Sequence, residues 1–183
     1  RDYYASRGLG DVYKRQIILI ELSICAYNRK KPAKEGAMKK MIDIPFGSSR
    51  YDDLVELRYK VLLEPLGLKF LDMHRDKEAG YLHIGCIESL DDALVGGLIL
   101  APVNNEEIRM MQVAVDSRYQ GEGIGREMVK YAEKRAREAG YSRLVMHAML
   151  SVVNFYEKMG YRQEGEIFED QGITFARMVK GLN

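Results

Sequence analysis

The chemistry in this chain is concentrated in Gly121-Glu122-Gly123-Ile124-Gly125, a glycine-rich turn between a strand-like run and a long helical pattern. Glycines let a backbone approach a ligand with no Cβ in between. A helix start adds unpaired N–H groups and a partial positive charge, so the expected ligand is an anion, phosphate above all. A Walker loop would end in Gly-Lys-Ser/Thr, whereas Gly125 is followed by Arg126-Glu127. A dinucleotide fingerprint would need its third glycine where Arg126 stands. Two readings remain for Gln120–Gly125: a plain tight turn, or an anion-binding turn of another kind.

Two more segments decide between them. Val113-Ala114-Val115-Asp116 precedes the turn, and Asn154-Phe155-Tyr156-Glu157-Lys158-Met159-Gly160-Tyr161 follows it. With Gln120–Arg126, these resemble the signatures of the GNAT acetyltransferases in order and spacing, and the likeness runs from about Met41 to Lys180. The resemblance implies an α/β fold: a central mixed, largely antiparallel sheet, splayed in the middle and flanked by helices. It also implies acetyl-CoA as cosubstrate, without a metal. Val113, Val115, Gln120, Gly121, Glu122, Gly123, Ile124, Gly125, Arg126 and Lys158 would hold that cosubstrate.

Further detail resembles the ElaA-like group: Arg58, Asp72, Asp76, His83, and the tail Gly165-Glu166-x-Phe168-Glu169-Asp170-x-Gly172-Ile173. The tail departs from that group at Thr174-Phe175, where Pro-His is usual. Met149 stands where many members carry an asparagine that contacts the cofactor.

The implied reaction is attack of a small-molecule amine on the thioester carbonyl. It needs a neutral amine, a donor for the oxyanion and a proton for the departing thiolate. By resemblance the oxyanion donor is a backbone N–H in Met111–Val113, assigned to Val113, and the general acid is Tyr156; core packing beside Phe155 is the other role for that ring. The base is open among His147, His83, Glu64 and water, with His147 the candidate chosen for titrating near neutral pH. Arg58 and Arg118 are candidates to hold an acidic substrate or to make structural ion pairs. A non-catalytic acyl-CoA regulator and a protein or peptide N-acetyltransferase are the alternatives.

The elements that must position these residues follow from periodicity. Strands are expected over Met41–Pro45, Tyr81–Glu88, Ala93–Ala101, Glu107–Val115, Ser142–Met149, Tyr161–Phe168 and Ile173–Val179. Helices are expected over Tyr51–Leu63, with Ser48-Ser49 as cap, over the stretch from Ile124 to Gly140, and over Val152–Met159. In the long helix Ile124, Met128, Val129, Ala132 and Ala136 share the buried face, while Glu133 and Arg137 pair outside at i,i+4. The acidic pairs Asp91-Asp92 and Glu106-Glu107 are expected to be solvated turns.

Residues 1–37 read as a non-native, disordered leader. Asp11–Gln16 matches the translated end of a transposon adapter, and Lys34-Glu35-Gly36 can encode a ribosome-binding sequence ahead of Met38. Met38 is the expected start, Met41 the second choice, and residues 38–183 form one domain. The whole chain has a formal net charge of +1; from Met38 onward 20 Lys+Arg stand against 23 Asp+Glu, a net of −3. That excludes an electrostatic case for nucleic acid. The lack of a long apolar run excludes a membrane span. Two distant cysteines, Cys25 and Cys86, give no disulfide framework, so a cytoplasmic protein is expected, as a monomer or a homodimer.

Overall fold

The computed structural model describes residues 38–64, 75–170 and 173–182; the expected leader, Asp72 and the Gln171-Gly172 turn lie outside them. Eight strands form one sheet: β1 (Lys39–Ile44), β2 (Leu82–Glu88), β3 (Ala93–Pro102), β4 (Glu107–Val115), β5 (Arg143–Met149), β6 (Arg162–Gln163), β7 (Phe168–Asp170) and β8 (Ile173–Gly181). Their order is β1-β2-β3-β4-β5-β8-β6, with β7 also on β8, and only β4–β5 is parallel. The mixed, mostly antiparallel sheet is the expected one.

Alternation along the strands makes two cores. Leu98, Leu100, Ile108 and Met110 face α2 (Ile124–Glu138), which buries Ile124, Met128, Val129, Ala132 and Ala136. Ile99, Ala101 and Met111 face the other way, against Tyr51 and Leu54 of α1 (Ser49–Arg58). Ser48 caps α1, its Oγ accepting from Tyr51 N at 3.2 Å. The helix continues as one π-helical turn, Tyr59–Leu63. A short helix, α3 (Val153–Glu157), follows β5 after a 3₁₀ turn.

Adjacent glycines in β3 let a helix settle on each face. A Cβ on Gly96 would stand 2.9 Å from Met128 Sδ on the α2 side. One on Gly97 would stand 2.2 Å from Leu54 Cδ1 on the α1 side.

Three expectations need correction. The strand expected over Tyr161–Phe168 is two short pieces, broken at Gly165, whose φ is +80°. Glu133 does not pair outward with Arg137: it is buried, 2.8 Å from Lys180 Nζ on β8, and Arg137 Nε donates instead to Leu182 O. A counter-charge arriving from the sheet outweighs a neighbour on the helix surface. Glu107 is not a solvated turn residue either. It is buried at the start of β4 between Arg143 and Arg177.

Gly97→Ala is expected to destabilise the fold by about 1–3 kcal/mol, because the fully buried Leu54 has no room to retreat. Urea unfolding beside wild type measures it.

Candidate active site

The two central strands part company early. β4 and β5 pair only at Glu107↔Arg143, Ile108↔Leu144 and Arg109↔Val145, although β4 runs on to Val115 and β5 to Met149. On its other side β4 stays with β3, but the register slips between Gly97↔Ala114 and Ile99↔Met111. The extra residue is Gln112, in the left-handed region at φ 55°. For a side chain other than glycine that conformation costs about 1–2 kcal/mol. Past this bulge, Asp116 N donates to Val95 O of β3 at 2.9 Å. Backbone groups alternate along a strand, so Val115 and Val113 turn their N–H and C=O groups away from β3, into the gap. Gln120 is anchored there, its Nε2 donating to Val115 O at 2.9 Å.

A buried polar network holds the bulge. Arg58, at the end of α1, donates from Nη1 to Gln112 Oε1 and grips Glu78 with both nitrogens, at 3.1 and 3.0 Å. Tyr51 Oη donates to Glu78 Oε2 at 2.9 Å, and His83 Nε2 lies 3.5 Å from the same oxygen. Arg58, Glu78 and His83 are at most 3% exposed. Burial alone would raise the Glu78 carboxyl, but the His83 imidazole, the Arg58 charge and the hydrogen bonds outweigh it and hold the pKa down at about 2. Desolvation, and then the Glu78 charge, push Tyr51 up to about 12. Arg58 is therefore a structural cation with no surface left for substrate. Arg118 is also engaged, with Asp116 at 2.7 Å.

The glycine-rich turn opens onto the same gap. Gly121 and Gly123 have φ of +83° and +82°, and a Cβ at Gly121, Gly123 or Gly125 would meet nothing within 4 Å. Gly123 is the N-cap of α2 and offers no side chain to the helix; the first intrahelical bond is Glu127 N to Gly123 O at 3.1 Å. The amides of Ile124, Gly125 and Arg126 thus remain for an anion. Ile124 itself is buried in the core, so only its backbone faces the turn. The Glu122 carboxylate lies 3.8 Å from Lys39 Nζ, which draws its charge toward β1.

The second signature meets the first. The Arg126 guanidinium stands 6.0 Å from the Phe155 ring centroid, and Tyr156 packs edge-on between Phe155 and Tyr161 at 5.1 and 5.7 Å. Tyr156 is 3% exposed, on the short helix that follows β5. Lys158 and Arg126 are exposed cations with no ion pair among the described residues. His147 lies on the α1-side face of β5, directly across from Arg177 and 5.0 Å from the Phe168 ring. Burial, with the charges of Arg109 and Arg177, lowers its pKa to about 4. It is neutral at pH 7 and a weak proton acceptor. His83 belongs to the Glu78 network, and Glu64 is exposed at the end of the π-helical turn.

Residues 72–182 match the acetyltransferase (GNAT) domain family, and the chain belongs to it. Human N-acetyltransferase 8B is 27% identical over 86 residues, 43% of this chain and 38% of that protein. The uncharacterized N-acetyltransferase YitI of Bacillus subtilis is 23% identical over 128 residues, 67% of this chain and 85% of its own. The chain spans little more than a third of the length of the mammalian relatives it matches. Escherichia coli ElaA shares the fold with a TM-score of 0.66 at 21% identity, over 78% of this chain and 99% of that one. So does an aminoglycoside 6'-N-acetyltransferase complexed with coenzyme A, with a TM-score of 0.66 at 16% identity, over 79% and 97%. No helix among the described residues is long and apolar enough to cross a membrane.

Arg58→Met is expected to cost about 3–5 kcal/mol, since it leaves Glu78 buried without its cation. The acid response carries the signature. A carboxyl lowered from 4.5 to about 2 adds stability above pH 4.5 that is lost as pH falls toward 2. Without Arg58 the folded-state pKa of Glu78 rises, so that acid loss shrinks or reverses, which unfolding midpoints measured between pH 7 and 3 detect.

Proposed function

We propose that this protein is an acetyl-CoA-dependent N-acetyltransferase that acetylates a primary amine of a small molecule. It would act in the cytoplasm, as a monomer or homodimer, with neither nucleic acid nor membrane as partner. One observation carries the reading: the edge of β4 freed by the bulge presents Val113 and Val115 to a gap that begins beside an uncapped, glycine-rich helix start. A pantetheine chain can pair with such an edge as a strand would, while its phosphates meet the amides of Gly121–Arg126. Arg126 and Lys158 add charge for those phosphates. The coenzyme A in the aminoglycoside acetyltransferase structure supports the choice of donor.

In this reading the neutral amine attacks the thioester carbonyl, and the Val113 N–H receives the oxyanion. Collapse of the tetrahedral adduct breaks the C–S bond, and Tyr156 gives its proton to the sulfur. The attacking nitrogen loses its proton to water. His147, with a pKa near 4, lacks the basicity for that step and serves as a neutral hydrogen-bond partner. Glu64 is exposed and has no ion pair among the described residues.

Saturating acetyl-CoA, at a hundred times its dissociation constant, is expected to add about 2.7 kcal/mol of stability, or roughly 5–10 °C in the midpoint. Gly125→Asp separates site from fold. Gly125 has an ordinary φ and open space, and a carboxylate in the first helical turn favours the helix. The variant should melt no lower than wild type and lose the acetyl-CoA shift. A wild-type protein that melts cooperatively with no shift would remove the donor site and the enzyme reading with it.

Tyr156→Phe keeps the ring against Phe155 and Tyr161. If the hydroxyl is the acid, kcat falls about 100-fold with the acetyl-CoA shift intact; unchanged kcat with a thiol-release readout leaves the tyrosine as packing only.

A further inference from the structure

The face of the sheet opposite α2 carries its own charge pattern. Register places Glu107 and Arg109 of β4, Arg143 and His147 of β5, and Arg177 of β8 on that one face, with Phe168 of β7 across from Phe175. Four charged groups there satisfy one another. Glu107 takes Arg143 at 2.8 Å and Arg177 at 2.9 Å, and Glu164 takes the same two arginines. Two cations and two anions close into a neutral quartet.

Arg109 is left over. It is half-buried at the last paired position before β4 and β5 separate. Among the described residues it has no carboxylate within ion-pairing distance, and its Nε is buried without a hydrogen-bond partner. Buried donors without partners are rare in folded proteins, and each one calls for an explanation. The adjacent His147 brings no charge at neutral pH, and its ring packs against Phe168, which stacks on Phe175 at 5.8 Å. The result is one unbalanced, fork-shaped cation beside a neutral imidazole and an aromatic wall, two strand positions before Met111 and four before Val113.

We propose that the acceptor amine is carried on a molecule that also bears a carboxylate, as an amino acid does, and that Arg109 receives this anion. The proposal rests on the acetyltransferase reading above and adds the acceptor's chemical class to it. A guanidinium offers two parallel N–H donors that match a carboxylate, which fixes the orientation of the molecule as well as its charge. A polycationic acceptor meets the same unbalanced positive charge and is disfavoured. The fold shared with an aminoglycoside acetyltransferase therefore does not extend to that substrate.

The test uses the full chain loaded with coenzyme A. The sequence has three histidines, so imidazole resonances are few, and His147→Gln assigns the one beside Arg109. L-Phenylalanine and L-leucine are titrated against their decarboxylated counterparts, phenethylamine and isopentylamine, and against kanamycin. The expected result is that the His147 resonance moves with the amino acids and not with the amines. Turnover by thiol release should favour the carboxylated partner of each pair by about 10-fold or more in kcat/KM. In Arg109→Met both preferences disappear while the acetyl-CoA shift persists. If that variant fails to fold, Arg109→Lys keeps the charge, loses the fork and should retain a reduced preference. The proposal is overturned if the amines or kanamycin do as well as the amino acids. It is also overturned if the preference survives Arg109→Met, or if no carboxylate moves His147. Failure of the wild-type protein to bind acetyl-CoA would instead sink the acetyltransferase reading, and the His147 response would still report on the carboxylate site.

Discussion

The separation of β4 from β5 after three residue pairs is the constraint on which this molecule is built. A strand edge inside a sheet is expensive to leave open, because a buried backbone donor or acceptor without a partner costs about 1–3 kcal/mol. Zipping the two strands together would relieve that cost and close the gap. The fold resists it on the β4 side. The bulge at Gln112 turns β4, and Arg58 holds the Gln112 side chain.

Two buried carboxylates brace the bulge in β4 and the start of the glycine-rich turn. Glu78 gathers Arg58 and Tyr51, so the π-helical end of α1, the turn before β2 and the bulge move as one piece. Glu88, fully buried at the end of β2, accepts from Tyr119 Oη at 2.7 Å and from Lys39 Nζ at 3.0 Å. Tyr119 immediately precedes Gln120, and its bond to Glu88 is the main reason its hydroxyl is pushed up to about 12. The start of the glycine turn is thereby tied to β1 and β2. Apolar side chains could fill the same volumes, but they would accept several packings. A buried charge with a small set of donors accepts few, and a gap that must match a cosubstrate benefits from that restriction.

What could be read in the sequence was what is local. The glycine spacing, the apolar face of α2 and the cap at Ser48 lie within a few residues of each other, and the structure places each of them as expected. The strand over Tyr161–Phe168 breaks at a glycine in the left-handed region, but the two charge misreadings involve long-range partners. Glu133 looked exposed because its counter-charge, Lys180, arrives from β8. Glu107 looked like a turn residue because neither Arg143 nor Arg177 is near it in sequence. The bulge leaves no trace at all: Gln112 is an ordinary residue in a strand-like run, and the Arg58 that holds its side chain comes from α1, far away in sequence. The glycine pair in β3 was visible as letters, but two helices had to be placed before either glycine had a reason to be there.

This asymmetry follows the division of labour in the site. The proposed donor half would work through backbone: amides of the helix start, the freed edge of β4, and glycines that add no side chain. Any sequence that folds this way supplies those groups, so a short motif announces them. The proposed acceptor half would work through side chains, and they come from β4, β5, β7 and β8, so no contiguous segment encodes it. A change at one of those positions would leave the backbone geometry proposed for the thioester in place, while altering what is held beside it. The acceptor is thus the part of such a protein that can diverge while the fold and donor site stay constant. Its proposed class follows from the balance of charge on one face of the sheet, where, among the described residues, Arg143 and Arg177 are neutralised and Arg109 is not.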